Sequence, residues 1–291
     1  MIRYPFVAGE FYPAGSDELL KTIKESFKSN FGPGKFPEKG CRKKLNVVIV
    51  PHAGYIFSGP CAAHGYKALA ESGKVETFVI IGTNHSGLGE NVSVFNEGEW
   101  ITPLGKVTID EDFAAELLKD NKEISANFAA HEKEHSIEVQ IPFLQVLFKN
   151  FKIVPILIKG DNLNESCKFL AKVIAETSKK LKRKIKVIIS SDFTHYGPYY
   201  SYIPFKANAK EEVKNLDKIA IDYIIKNNPE KFVEHLIKFN ATICGYAPIL
   251  TGIYYNKILD GKTGTLLKYY TSADISNNSE NFVGYASIIL K

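Results

Sequence analysis

Three histidines follow strongly apolar runs of the chain, and their residue type and placement are suited to metal binding. The run LNVVIV leads into PH at His52, TFVIIG leads into TNH at His85, and KVIIS leads into SDFTH at His195. A single histidine at a strand end most often forms a hydrogen bond with a loop carbonyl. Three histidines at three strand ends are less easily explained by that structural role alone. Since imidazole is a common ligand of zinc, copper and iron, the repetition predicts a metal site.

The apolar runs predict the strands that would position these histidines. Strands are expected at 45–50, 77–82, 152–158 and 185–190, and helices near 59–72, 110–120, 134–149 and 163–182. The strand runs are almost continuously apolar, which is typical of strands buried on both faces. Their alternation with helices predicts an α/β fold with a mostly parallel central sheet flanked by helices.

Such a sheet would bring the histidines together. Ligands of open α/β sheets bind at the carboxyl ends of the strands, and neighbouring strands lie about 4.8 Å apart. Further helices are expected at 17–29, 208–226 and 229–239, and further strands at 265–271 and 282–290. No repeat or low-complexity tract divides the 291 residues, so a single domain over 1–291 is expected.

Composition narrows the function classes. The chain is 45% hydrophobic and carries a net charge of +5, with lysines spread along predicted helices, which favours solvated surfaces over a nucleic-acid groove. There is no signal-peptide pattern and no apolar run of about 20 residues, so neither secretion nor membrane insertion is expected. The expected location is cytoplasmic, where Cys41, Cys61, Cys167 and Cys244 would be free thiols.

Residues 131–135, HEKEH, match the zinc-protease pattern H-E-x-x-H. In a buried protease helix the two middle positions are normally uncharged, whereas here they are Lys133 and Glu134, which favour solvent. We therefore expect no protease site. His135 is the better candidate for a functional histidine, because it opens the apolar-patterned segment HSIEVQIPFLQVLF.

The sequence offers two more candidates for site residues, an Asp-His pair and a cysteine, without fixing their roles. Asp192 and His195 lie three residues apart and could form an acid/base pair beside an ion. Cys244, in TICGYAP, is by residue type most simply a small buried hydrophobe. It becomes a candidate ligand only if the fold brings it to the histidines.

Taken in order, the segments PHAGYIFSG, CAAHGYKAL, GTNHSG, EHSIEVQIPFL, SSDFTHYG and TICGYAP resemble those of the Memo family, across essentially the whole chain. The resemblance implies the fold of class III extradiol dioxygenases, which cleave catechol rings at a non-haem iron. It implies that His52, His85 and Cys244 are metal ligands. It further implies that Asp192, His195 and, less directly, His135 line the same pocket.

The implied ligand set departs from the dioxygenase pattern of two histidines and a carboxylate, because its third member is a thiolate. A thiolate shifts preference towards copper or zinc and is itself oxidisable. One hypothesis is a redox protein that uses iron or copper, with zinc as the alternative ion, on an unknown small-molecule or peptide substrate. His195 would be its acid/base, oriented by Asp192.

Two other hypotheses stay open. One is a non-catalytic protein that binds a (phospho)peptide in the former dioxygenase pocket, and the other is a metal-handling protein without turnover. Prokaryotic members of the family often accompany a radical-SAM protein and a small companion domain, which implies these as pathway partners.

Overall fold

The computed structural model describes residues 1–38, 44–276 and 278–291, and its strands form two sheets. Cys41 lies outside the described residues. The strands are β1 (Ile2–Arg3), β2 (Val47–Val50), β3 (Thr77–Thr83), β4 (Val92–Val94), β5 (Glu99–Thr102), β6 (Gly105–Thr108), β7 (Ile124–Ala126), β8 (Lys152–Ile158), β9 (Ile185–Ser190), β10 (His195–Tyr196), β11 (Gly264–Thr271) and β12 (Phe282–Leu290).

Helices flank the larger sheet and connect several of its strands. They are α1 (Ser16–Lys28), α2 (Tyr55–Ala70), α3 (Glu111–Leu118), α4 (Phe128–Glu132), α5 (His135–Glu138), α6 (Ile141–Leu147), α7 (Leu163–Lys180), α8 (Ala209–Ile225), α9 (Pro229–Phe239), α10 (Tyr246–Ile258) and α11 (Ala273–Ser276). A 3₁₀ turn spans Pro198–Tyr200.

The larger sheet has nine strands in the order β10-β12-β2-β9-β3-β8-β4-β7, with β11 also paired to β12. The four central strands, β2, β9, β3 and β8, are mutually parallel, and β4 is parallel to β7. The smaller sheet has the order β1-β5-β6. The α/β fold with flanking helices is therefore confirmed, and β2, β3 and β9 end at the same edge.

The sheet is mixed rather than mostly parallel. β12 pairs antiparallel with β2, β10 and β11, and β4 pairs antiparallel with β8. The expectation of parallel strands was right for the centre, where helices cross over between strands. It was wrong at the edges, because short connections such as the one between β11 and β12 lead to antiparallel pairing.

The central strands are buried on both faces, as their apolar runs predicted. All four residues of β2 and six of the seven in each of β3 and β8 are buried, and one cluster of buried side chains includes residues from Val7 to Leu290. Within the described part of the chain, no helix combines the length and apolar character needed to cross a membrane.

Candidate metal centre

Three side chains meet where β2 and β3 end and α10 begins. One ligand atom from each of His52, His85 and Cys244 lies within 4.8 Å of the other two. The sulfur of Cys244 lies 3.1 Å from Nε2 of His52, and the His52 and His85 ring centroids are 5.4 Å apart. The fold thus brings Cys244, distant in sequence, to two of the strand-end histidines.

His52 is fixed by the polar residues beneath it. Its Nδ1 lies 2.9 Å from the hydroxyl of Ser190, at the end of β9. That hydroxyl donates to the carbonyl of Ser136 at 2.6 Å and accepts from the Gln140 amide at 2.9 Å. Because the Ser190 hydroxyl donates its proton to Ser136, it must accept from His52, so Nδ1 of His52 carries a proton. Its Nε2 then has a lone pair, which faces Cys244.

His85 is held by a carboxylate that the sequence analysis placed in solvent. Glu134 is buried, and its Oε1 lies 3.0 Å from Nδ1 of His85, while its Oε2 accepts from the His85 backbone N–H at 2.7 Å. The expectation that Glu134 favours solvent is therefore wrong. Lys133, its neighbour, is exposed as expected.

The segment that carries Cys244 contacts two strand ends. The Cys244 carbonyl accepts from the Thr83 hydroxyl at 3.0 Å, and its sulfur accepts from the Asp192 N–H at 3.3 Å. Gly245 donates to the Ser191 hydroxyl at 3.0 Å. A Cβ at Gly245 would lie 2.3 Å from that of Ser191, so only glycine permits this approach.

Burial decides most of the proton affinities at the centre. It lowers the pKa of His52 well below its usual range, with the neighbouring His85 adding to the effect. Burial and the charge of Asp192 raise the pKa of the Cys244 thiol. At His85 burial is outweighed by the hydrogen bond to Glu134 and its charge, so this pKa is raised.

His135 joins the imidazole cluster from α5. Its ring stacks on that of His85 at 4.8 Å between centroids and lies edge-on to His52 at 5.3 Å. Burial, together with His52, lowers the pKa of His135 to about 4, so the ring is neutral at pH 7. The Phe11 ring lies 4.8 Å from that of His135, centroid to centroid.

His195 lines the same cavity but is oriented by groups other than Asp192. Its Nδ1 lies 3.0 Å from the carbonyl oxygens of both Phe193 and Thr242, so this nitrogen carries the proton. Asp192 is buried and accepts instead from the backbone N–H of His52 at 2.8 Å. Burial raises the Asp192 pKa, against the opposing influence of His195.

The four histidines and Asp192 lie along one cavity of about 700 Å³. Aromatic side chains and small polar groups complete its wall, and among the described residues that line it none is Lys or Arg. The lining is Phe11, His52, Ala53, Gly54, Phe57, His85, His135, Asp192, His195, Tyr200, Ser272, Ser276, Asn278, Asn281, Val283 and Tyr285.

The HEKEH segment does not form a protease helix. α4 ends at Glu132 and α5 begins at His135, so the two histidines lie on separate helices. His131 is fully buried, with its Nε2 3.1 Å from the carbonyl of Ser93. Only His135 faces the cavity.

Comparison with known proteins identifies the family. The model of the Memo-like protein family matches residues 3–289. The chain belongs to the Memo-like family. It is 44% identical over 295 residues to a MEMO1 family protein of Methanobrevibacter smithii, with all of both chains covered. MEMO1 family proteins of Pyrococcus abyssi and Thermococcus kodakarensis are each 41% identical, over 300 and 298 residues, again with full coverage of both chains.

The donor set of this Memo-like chain fits a transition-metal ion. His52 and His85 each use Nδ1 in a hydrogen bond, which leaves Nε2 as the ligand atom, the arrangement usual for metal-binding histidines. At His52 this Nε2 faces the Cys244 sulfur, the third candidate ligand. Cys244 offers a thiolate once a metal displaces its proton. A nitrogen–nitrogen–sulfur set suits copper, zinc or iron and does not suit magnesium or calcium.

Sequence reasoning missed the polar groups that hold these ligands, above all Glu134 and Ser190. Serine and glutamate are common on surfaces, so residue type alone gave no signal. For Glu134 the one available sign was its position next to His135, at the start of an apolar-patterned segment.

Proposed function

We propose that this Memo-like protein binds one iron or copper ion through His52, His85 and Cys244 and uses it in redox chemistry. The substrate would be a small molecule or a peptide side chain. The observation that carries the proposal is the convergence of the three ligand atoms within 4.8 Å of one another beside the cavity. Zinc also suits this ligand set but would supply Lewis-acid chemistry only.

When bound, such an ion would supply electron transfer or activation of oxygen, while the surrounding residues handle protons and orientation. His195, protonated at Nδ1, keeps a lone pair at Nε2 and can accept a proton from a substrate in the cavity. His135 adds a neutral imidazole beside the ligands. Asp192 holds the His52 backbone and donates its own N–H to the Cys244 sulfur.

The alternative is a binding or metal-handling protein that performs no reaction. The cavity of about 700 Å³ is far larger than an ion needs, which favours a substrate over metal handling alone. A phosphopeptide is the less supported ligand, since no Lys or Arg side chain lines the described part of the cavity.

Three further points rest on the family resemblance and the fold together. We propose a common ancestry with class III extradiol dioxygenases, supported by the α/β sheet with its site at the strand ends. We propose that the chain is one domain, since residues near both termini share one core. A radical-SAM protein and a small companion-domain protein are proposed as pathway partners.

Oxygen uptake tests the redox function. The protein for this assay is purified anaerobically and without a histidine tag, and oxygen is then admitted. After loading with iron or copper and addition of a mild reductant, the wild-type protein should consume oxygen faster than His52→Ala treated identically. Stoichiometric metal without uptake above that control would contradict the redox proposal and leave metal handling. Peptide binding that survives chelation would favour the binding protein.

A further inference from the structure

Glu134, the buried carboxylate that contacts His85, also faces a second histidine of the centre. Its side chain is 1% exposed, and it caps the N-terminus of α5. Oε2 accepts from the His85 N–H at 2.7 Å, and Oε1 accepts from the Ser136 N–H at 2.8 Å. Oε1 also lies 3.0 Å from Nδ1 of His85 and 3.5 Å from Nδ1 of His135.

Among the described residues, the groups hydrogen-bonded or ion-paired to this carboxylate are N–H groups or ring nitrogens able to carry a proton. Two are backbone N–H groups and two are imidazole Nδ1 atoms, from His85 and His135. An ionised carboxylate only accepts hydrogen bonds, so both oxygens of Glu134 match their surroundings. A glutamine amide would direct its NH₂ group at a backbone N–H in either orientation.

One oxygen therefore faces the same edge of two stacked rings. The His85 and His135 rings are inclined by only 14° and their centroids are 4.8 Å apart. Because both rings approach Oε1 through Nδ1, each leaves its Nε2, the nitrogen across Cε1, for another partner. Glu134 forms a hydrogen bond with Nδ1 of His85 at 3.0 Å, whereas it attracts Nδ1 of His135 electrostatically over 3.5 Å.

We propose that Glu134 is the positioning residue of this metal centre, fixing the tautomer of His85 and, more weakly, of His135, so that their Nε2 atoms are free. The inference rests on the proposed metal site, because it assigns Glu134 to the support of the ligand His85. Carboxylates that hold metal-binding histidines in this way affect metal affinity by about 10- to 100-fold.

The first test compares zinc affinity, measured by competition with a chromophoric chelator, in wild type, Glu134→Gln and Asp110→Asn. Asp110 is a matched control, since it is a fully buried carboxylate that caps α3 and lies outside the metal centre. We expect zinc binding to weaken by about 10- to 100-fold in Glu134→Gln and to be unchanged in Asp110→Asn. Unchanged affinity in Glu134→Gln would overturn the proposal.

The second test needs no variant and no metal. Two-dimensional ¹⁵N NMR of histidine-labelled wild-type protein, at a pH where the rings are neutral, reports the tautomer of each imidazole. We expect the proton on Nδ1 of His85, and an Nε2–H tautomer there would overturn the proposal. If His85 shows the expected tautomer but wild-type protein binds no zinc, the metal site fails while the positioning by Glu134 stands.

Discussion

At the scale of single residues, Cys244 differs from two other cysteines in what its sulfur faces. The sulfur of Cys61 lies 3.9 Å from the carbonyl of Lys268, and that of Cys167 lies 3.3 Å from the carbonyl of Ala247. Both side chains are fully buried within helices. The Cys244 sulfur instead faces an imidazole nitrogen at the cavity, which is the environment of a ligand.

Cys244→Ser should weaken binding of copper or iron by about tenfold or more, because a hydroxyl replaces a soft thiolate at similar size. The free energy of unfolding of the metal-free protein should change little, since the cavity created is small. Competitive metal titration and urea unfolding measure the two quantities. Cys61→Ser and Cys167→Ser are the controls, expected to lose stability and retain affinity. Parent-like affinity in Cys244→Ser would make Asp192 the better third ligand.

Metal affinity should rise with pH. The pKa of the Cys244 thiol is raised by burial and by Asp192, so a metal must displace its proton at neutral pH. The pKa of His52 is lowered by burial, so this ring has no proton to lose. At His85 burial is outweighed by Glu134, which raises the pKa, so a second proton competes with the metal as pH falls. We expect affinity to increase about tenfold per pH unit for each proton released. Zinc titrations between about pH 7 and 8 test this, and a slope unaltered by Cys244→Ser would argue against the thiolate.

Residue type and spacing predicted the histidine ligands, but they did not predict the residues that hydrogen-bond to those ligands. Histidines after apolar strands are few and chemically distinctive, so His52 and His85 could be selected from the sequence. Glu134 could not, because its burial depends on four nitrogen atoms that converge on it only in the folded chain. The position of Cys244 likewise depends on α10 packing beside the strand ends.

At the scale of elements, the break between α4 and α5 separates the two histidines of HEKEH. We expect no chelator-sensitive cleavage of casein by the purified protein. Burial lowers the pKa of His131 to about 3, so the ring is a neutral core group. His131→Ala should therefore destabilise the fold by about 1–3 kcal/mol and leave metal affinity unchanged. Casein cleavage that is lost in this variant would contradict the account.

The elements with a clear apolar pattern were predicted closely. The run at 152–158 and the helix at 229–239 have the bounds that the structure shows. Helix α10 was missed, because residues Ala247–Ile253 are all buried and a helix buried on every side has no amphipathic period. Strands β4 to β7 were also missed, since each is three or four residues long and none stands in a long apolar run like the one that contains β2.

At the scale of the whole molecule, a buried ion pair holds the N-terminal segment against the wall of the centre. Arg3 and Glu138 are each 1% exposed and lie 2.5 Å apart, and Glu138 also accepts from the Tyr12 hydroxyl and the backbone of Phe6 and Val7. The segment carries Phe11, which packs on His135. The N-terminus is thus part of the cavity wall.

Glu138→Ala should lower the free energy of unfolding by about 3–5 kcal/mol, because it leaves Arg3 charged, buried and without its carboxylate. Guanidinium unfolding followed by circular dichroism measures this. Glu234→Ala, which breaks the exposed pair with Lys231, is the control and should change stability by less than about 0.5 kcal/mol. Equal effects in the two variants would show that the buried pair does not hold the segment.

The central claim is that one ion is bound by two imidazoles and one thiolate, and X-ray absorption spectroscopy of the metal-loaded protein tests it most directly. For the zinc form we expect about two nitrogen neighbours from imidazole at about 2.0–2.1 Å and one sulfur at about 2.3 Å. The sulfur contribution should disappear in Cys244→Ser. A wild-type spectrum with imidazole but no sulfur, or with oxygen neighbours only, would contradict the site of His52, His85 and Cys244.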